Sequence, residues 1–234
     1  MQTTSHTSKY FDAELEHLRA RVLAMGGLVD QQIRYAIEAL RTGDAALIER
    51  IVAEEQRVNE FEREIDEECT NIIARRAPAA LDLRLVLMAY KAITDLERVG
   101  DEAKKIAFVA RRLRLSDHHS PGFAEIRLIA DVVVDMLRRS LDALARSEIR
   151  EVADVVRRDR EVNERFRAIL RALLTYMIED PRAISAAIDT LWVAKALERI
   201  GDHATNISEY SIYMLKGQDV RHGSLEELER AVRS

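Results

Sequence analysis

The sequence predicts an all-α protein made of two pseudosymmetric, antiparallel three-helix bundles. Three observations carry this expectation. The first is composition: three prolines and eight glycines in 234 residues, with 33% charged and 5% aromatic side chains, a mix that favours long helices over sheets. The second is punctuation: Gly43, Pro78, Pro121-Gly122 and Pro181 divide long stretches of helical periodicity, with a weaker break near Ser147. The third is duplication. Leu96-Glu97-Arg98-Val99-Gly100-Asp101 returns as Leu197-Glu198-Arg199-Ile200-Gly201-Asp202, and seven of eleven positions from Leu96 to Ile106 match Leu197 to Ile207 without a gap. A phrase written twice marks two copies of one structural unit.

In chain order the breaks give six helices, over 9–42, 44–76, 81–115, 122–146, 149–179 and 182–216. Helices of about 30 residues reach about 45 Å. The polar, turn-rich stretch from Ser116 to Gly122 joins the halves, giving repeats over 1–115 and 122–216 and a tail over 217–234. Val58-Asn59-Glu60 recurs as Val162-Asn163-Glu164 in the second helix of the other half. Each half therefore reads helix, helix, proline turn, motif-bearing helix, and short connections make neighbours antiparallel. In the tail, Leu225, Leu228 and Val232 suit one short amphipathic helix.

The third helix carries Leu96, Val99, Ala103, Ile106, Ala110 and Leu113 at alternating spacings of three and four. The sixth carries Leu197, Ile200, Ala204, Ile207, Ser211 and Met214 in the same way. That is a bundle seam. On this frame Glu97, Asp101, Glu198 and Asp202 fall off the seam, facing outward or toward a partner. Trp192, Phe61 and Phe166 are expected to fill core.

A net charge of −5 excludes a global field that recruits nucleic acid. Acids interleave with the pairs Arg75-Arg76, Arg111-Arg112 and Arg157-Arg158, which read as solvated helix surface. The single cysteine, Cys69, cannot form an internal disulfide and fits a reducing compartment. Residues 1–10 lack the apolar core of a signal peptide. No stretch approaches the roughly 20 apolar residues of a membrane helix. These features point to a cytoplasmic protein without membrane insertion.

The repeated phrase is also a candidate site. Glu and Asp four residues apart on a helix share a face, about 5–6 Å apart at Cβ, and repel by a few tenths of a kcal/mol unless something neutralises them. Glycine costs about 1 kcal/mol in a helix interior, yet Gly100 and Gly201 sit inside both motifs. This suggests close approach of another backbone, or room for a ligand. Carboxylates at this spacing suit a hard or intermediate cation such as iron, manganese, magnesium, calcium or zinc. Reflection about Pro78 sets Glu97 and Asp101 opposite a segment bracketing Asn59, Glu60 and Glu62. Reflection about Pro181 sets Glu198 and Asp202 near Asp159, Asn163 and Glu164. Glu55 and Asp159 fall on apolar stripes, where buried acids need either a cationic side chain or a metal. His203 follows Asp202 and is a weaker candidate ligand. His118, His119 and His222 lie in linker and tail. An ordinary charged surface is the plain alternative for all these acids.

These residues resemble the PhoU family of phosphate-signalling regulators. The matching phrases are Glu14-Leu15, Met25-Gly26-Gly27, Ala36 to Gly43-Asp44, Val58-Asn59, Pro78, Asp82-Leu83-Arg84, Leu96 to Asp101 and Leu197 to Ile207. The resemblance implies multinuclear metal clusters on the bundle surface, often iron, with zinc, manganese or magnesium as alternatives, held through Glu97, Asp101, Glu198 and Asp202. It implies a non-enzymatic negative regulator of the phosphate-starvation response. Such a regulator would bridge the ATPase subunit of the phosphate ABC transporter and a sensor histidine kinase, often as a homodimer. Family members often carry Asn four residues after the motif Asp. Asn206 fits; Lys105 stands at the first copy, where a cation would weaken metal binding, so the second site is expected to be the stronger. Two other readings remain open: a di-iron carboxylate enzyme, which needs Glu-x-x-His pairs inside a four-helix bundle, and a purely structural scaffold.

Overall fold

The computed structural model describes residues 3–114, 122–220 and 225–233. Six long helices, α1 (Thr3–Thr42), α2 (Ala45–Arg76), α3 (Ala80–Arg114), α4 (Phe123–Arg146), α5 (Val152–Glu179) and α6 (Ile184–Lys216), are followed by a short α7 (Leu225–Arg233). The expected linker, with His118 and His119, and His222 in the tail lie outside the described residues. The local causes of the breaks are visible. Gly43 takes φ 67° to leave α1, a left-handed value that glycine adopts without a Cβ clash. Asp44 then caps α2, its carboxylate accepting from the Ala46 amide at 2.9 Å. Ala77 closes α2 at φ 45°, ahead of Pro78. Asp180 accepts from the Arg182 amide at 3.1 Å, and Pro181 opens a 3-10 turn into α6.

Helices α1, α2 and α3 pack on one another, as do α4, α5 and α6, and the largest contact between the two sets is α3 on α6. Arg84 donates to the Met214 carbonyl, Asp95 meets His203, Glu102 meets Arg199 and Arg112 meets Asp189. As the number rises in α3 it falls in α6, so the motif-bearing helices run antiparallel and cross near Val99 and Ile200. The seam is buried as its spacing predicts. Leu96, Val99, Ala103 and Ile106, and Leu197, Ile200, Ala204 and Ile207, are all 0% exposed. One continuous apolar cluster runs through both sets. Burial of each Leu or Ile is worth about 1.5–3 kcal/mol.

Phe61 and Phe166 lean half-buried against the core. Trp192 does not join it: it is 61% exposed, on the outer side of α6 beside Phe108 and Lys195. Its spacing from Leu197 and Ile200 puts it off the seam, so hydrophobicity alone misplaced it. The tail packs on its own chain. Leu228 and Ala231 of α7 are buried against Ile149, Val152, Ala153 and Ile212. Among the described residues no helix is long and apolar enough to cross a membrane.

Candidate metal centres

The repeated phrases meet within each repeat, but not every expected side chain turns inward. At the first cluster Glu62 of α2 faces Glu97 and Asp101 of α3. Burial first holds both Glu62 and Glu97 above the usual carboxylate range; the charges of Asp66 and Asp101 add to it at Glu62 and those of Asp101 and Glu62 at Glu97, with Arg98 partly opposing. Glu55 belongs to the same field and is ion-paired with Lys104. Asn59 is half-buried and its carbonyl accepts from Arg63; Glu60 is exposed.

At the second cluster Asp159 of α5 faces Glu198 and Asp202 of α6. Burial, then the charges of Asp202 and Glu198, push Asp159 up to about 6. Burial and Glu198 raise Asp202 as well, against Lys195, His203 and Arg199. Asn163 donates to Asp159 Oδ2 at 3.0 Å, while Asp159 Oδ1 is buried without a hydrogen-bond partner. Glu164 is exposed and takes no part.

Four expectations need correction. Glu198 does not face outward: it is 8% exposed and pairs with Lys195 Nζ at 2.5 Å. The α5 side of the hairpin covers it, which a seam drawn on α6 alone cannot reveal. The motif glycines do not admit another backbone. A Cβ on Gly100 would lie 3.1 Å from Gln32 Oε1, and one on Gly201 would lie 3.4 Å from Asp159 Oδ1. In both cases a side-chain oxygen lacking a hydrogen-bond partner rests against the glycine. Lys105 does not enter the first cluster. Its Nζ bonds Glu102 at 2.9 Å, and Lys104, one residue earlier, pairs with Glu55. His203 and Asn206 turn away from the second cluster toward α3. Nδ1 of His203 lies 2.7 Å from Asp95 Oδ1, Asn206 Nδ2 donates to the same oxygen at 3.1 Å, and Tyr210 donates to Oδ2 at 2.6 Å.

That buried Asp95 network was not anticipated. The available signal was Asp95 itself, an acid directly preceding a seam leucine. Its burial raises its pKa, but hydrogen bonds from His203, Tyr210 and Asn206 outweigh burial and hold it below the usual carboxylate range.

Among the described residues no three His, Cys, Asp or Glu side chains are gathered tightly enough to close a metal shell. The donor chemistry nevertheless fits a hard cation. Asp159 offers a buried, unpartnered oxygen, Asp202 lies in its field, and like charges accumulate at both clusters. A cation would offset this accumulated negative charge, with Asp159, Glu198 and Asp202 as donors at the second cluster and Glu62, Glu97 and Asp101 at the first.

Comparison with known proteins bears on the fold and the family. The family model described as PhoU domain matches residues 22–110 and 126–211, one match for each repeat. A Pseudomonas putida protein named phosphate-specific transport system accessory protein PhoU homolog is 46% identical over 225 residues, covering 96% of this chain and 88% of that one. The Escherichia coli (strain K12) accessory protein PhoU is 41% identical over 230 residues, covering 98% and 95%. The crystal structure of PhoU from Pseudomonas aeruginosa superposes with a TM-score of 0.86 at 45% identity, covering 89% of this chain and all of that one. The phosphate transport system regulatory protein PhoU from Streptococcus pneumoniae gives 0.82 at 25% identity, over 90% and 99%. The doubled helical unit, its duplicated acidic phrase and these full-length likenesses together establish that the chain belongs to the PhoU family, a family of accessory regulators and not of enzymes.

Proposed function

We propose that this chain is a negative regulator of the phosphate-starvation response, acting as a metal-binding adaptor between the phosphate ABC transporter ATPase and a sensor histidine kinase. The observation that carries the phosphate role is relatedness over nearly the whole chain to accessory proteins of phosphate-specific transport. The adaptor role accords with what the fold offers: long exposed helical faces, and no glycine-rich loop of the P-loop kind to cradle phosphate in the sequence. The proposal includes work on the cytoplasmic side of the transporter, as a homodimer. The metal part rests on the unpartnered Asp159 Oδ1 beside two further carboxylates.

The test is capture of the tagged protein from cells grown with ample phosphate. Recovery of the transporter ATPase and the kinase supports the adaptor; recovery of neither overturns it. Metal is tested separately by elemental analysis of native protein and of Asp202→Ala, which should lose its metal. A purely structural scaffold would carry no metal in either.

A further inference from the structure

Three apolar side chains, Ile184, Ile188 and Trp192, follow one another at four-residue steps along α6, and each is at least 40% exposed. Side chains at this spacing share one helical face. Across the α3–α6 groove Phe108 of α3 stands beside Trp192, and the two open onto a cavity of about 290 Å³. Four cations surround it: Lys105 and Arg112 from α3, Lys195 and Arg199 from α6. Their side chains are 42–55% exposed, whereas the acids they bond, Glu102, Asp189 and Glu198, are 4–17% exposed. The charged tips that reach solvent here are therefore positive, in a chain whose net charge is −5. We infer that this end of the α3–α6 groove is a docking site for an acidic amphipathic helix of a protein partner, with Trp192 as its central anchor.

Shape and charge select this occupant. A concave apolar floor suits the helix-in-groove mode, in which side chains at helical spacing enter the groove, and a positive rim suits an acidic flank. A bilayer surface does not follow a cleft between two antiparallel helices. Two copies paired symmetrically through this patch would set cation against cation. The rim can also respond to a partner. Exposed ion pairs are weak, and Glu102 has two cations, Lys105 and Arg199, so one can turn to an incoming carboxylate while the other keeps Glu102 paired. The opposite end of the groove lacks this chemistry. The duplicated phrases align Trp192 with Lys91, Phe108 with Glu209 and Arg112 with Tyr213, and the Lys91 ammonium stands over the Tyr213 ring at 4.9 Å. The docking site is thus built at one end only, despite the duplication.

The inference rests on the adaptor reading proposed above, to which it gives a contact surface, and the experiment separates the two. The full chain carrying photoreactive benzoylphenylalanine in place of Phe108 is irradiated in cells grown with ample phosphate, and the adduct is mapped by mass spectrometry. It should fall on a segment of another protein that carries apolar side chains at three-four spacing among Asp and Glu. That segment, made as a labelled peptide, should bind the wild type and shift to the blue the emission of Trp192, the single tryptophan of the chain. Trp192→Ala should weaken binding at least about tenfold, as expected of a central aromatic anchor. Arg112→Glu should weaken it too, and the wild-type affinity should fall as salt rises. Leu128→Ala, which truncates an exposed apolar side chain of α4, should bind as the wild type does. Thermal melts confirm that each variant is folded. No adduct, or one on lipid, on a second copy of this chain or on a segment without acids, overturns the inference, as does a loss below about tenfold in Trp192→Ala. If the transporter ATPase and the kinase are recovered with Trp192→Ala as with wild type, the adaptor stands and the docking site is wrong. If wild type recovers neither, yet an acidic segment of a different protein meets every criterion, the named partners are wrong and the docking site stands.

Discussion

Replacing Asp95 with Ala should destabilise the protein more than any other single polar substitution at the α3–α6 interface. Asp95 is 4% exposed and receives His203, Asn206 and Tyr210 from the opposite helix. Truncation leaves three polar groups without their acceptor in an interface sealed by the seam. Breaking a buried charged network in this way costs about 3–5 kcal/mol. For a chain of this size that corresponds to a fall of roughly 6–20 °C in melting temperature. Tyr210→Phe removes one hydrogen bond to a charged acceptor and should cost about 1.5–3 kcal/mol. The double variant should cost little more than Asp95→Ala alone, because the hydrogen bond between the two is already gone. Urea unfolding followed by circular dichroism measures all three, with midpoints shifting at unchanged m-value. The carboxyl also has a pH signature. Its folded pKa is depressed, so its stabilisation is present above the unfolded value of about 3.9 and is lost as pH falls through the folded one. The wild type should therefore lose its advantage over Asp95→Ala in that acid range. A cost below about 1 kcal/mol at neutral pH, well under the range for a broken buried network, would show that the two repeats are not held by this network.

Other outcomes follow from geometry described above. Gly201→Ala should be neutral or stabilising by up to about 1 kcal/mol from helix propensity, since its Cβ meets Asp159 Oδ1 at 3.4 Å. Gly100→Ala should be the more damaging of the two, because Gln32 stands 3.1 Å away and is tied to the Ile51 carbonyl; thermal melts that reverse this order refute the packing argument. In chelator-treated protein, the Asp159 pKa of about 6 is raised by folding, so the charged form destabilises the native state as pH climbs from the ordinary carboxylate value through 6. Asp159→Asn should then be more stable than wild type at pH 7.5 and indistinguishable from it at pH 4. Burial pushes the Cys69 thiol up to about 12, so a thiol reagent at pH 8 should label it only after denaturant is added. Leu228→Ala should free α7 to limited proteolysis while the main transition barely moves, because α7 rests on a small separate cluster.

The helices were legible because their causes are local. Pro78, Pro181, Gly43 and the three-four spacing of the seam each act within a few residues, and five of the six long helices both begin and end within three residues of the expected positions. Which helices meet within a repeat was legible too, through Val58-Asn59 and Val162-Asn163 opposite the motifs. Rotation about each helix axis was not. Lys104 and Lys105 are adjacent in sequence, yet Lys104 crosses to Glu55 of α2 while Lys105 pairs within α3 with Glu102, and the spacing on α3 does not say which lysine crosses. The same holds for His203 and Asn206. They follow the second motif in sequence, but their partner, Asp95, lies in the other repeat, at a distance set only by the antiparallel crossing of α3 and α6.

That crossing makes each half an incomplete object. Cutting the chain between α3 and α4 would leave two fragments, each with a raw apolar strip where the other had been. Mixed together, they should reassemble into the native pair. The first fragment alone would have only another copy of its own α3 to cover that strip, and such a homodimer would set Asp95 against residues other than His203 and Tyr210, so the complementary fragment should displace it.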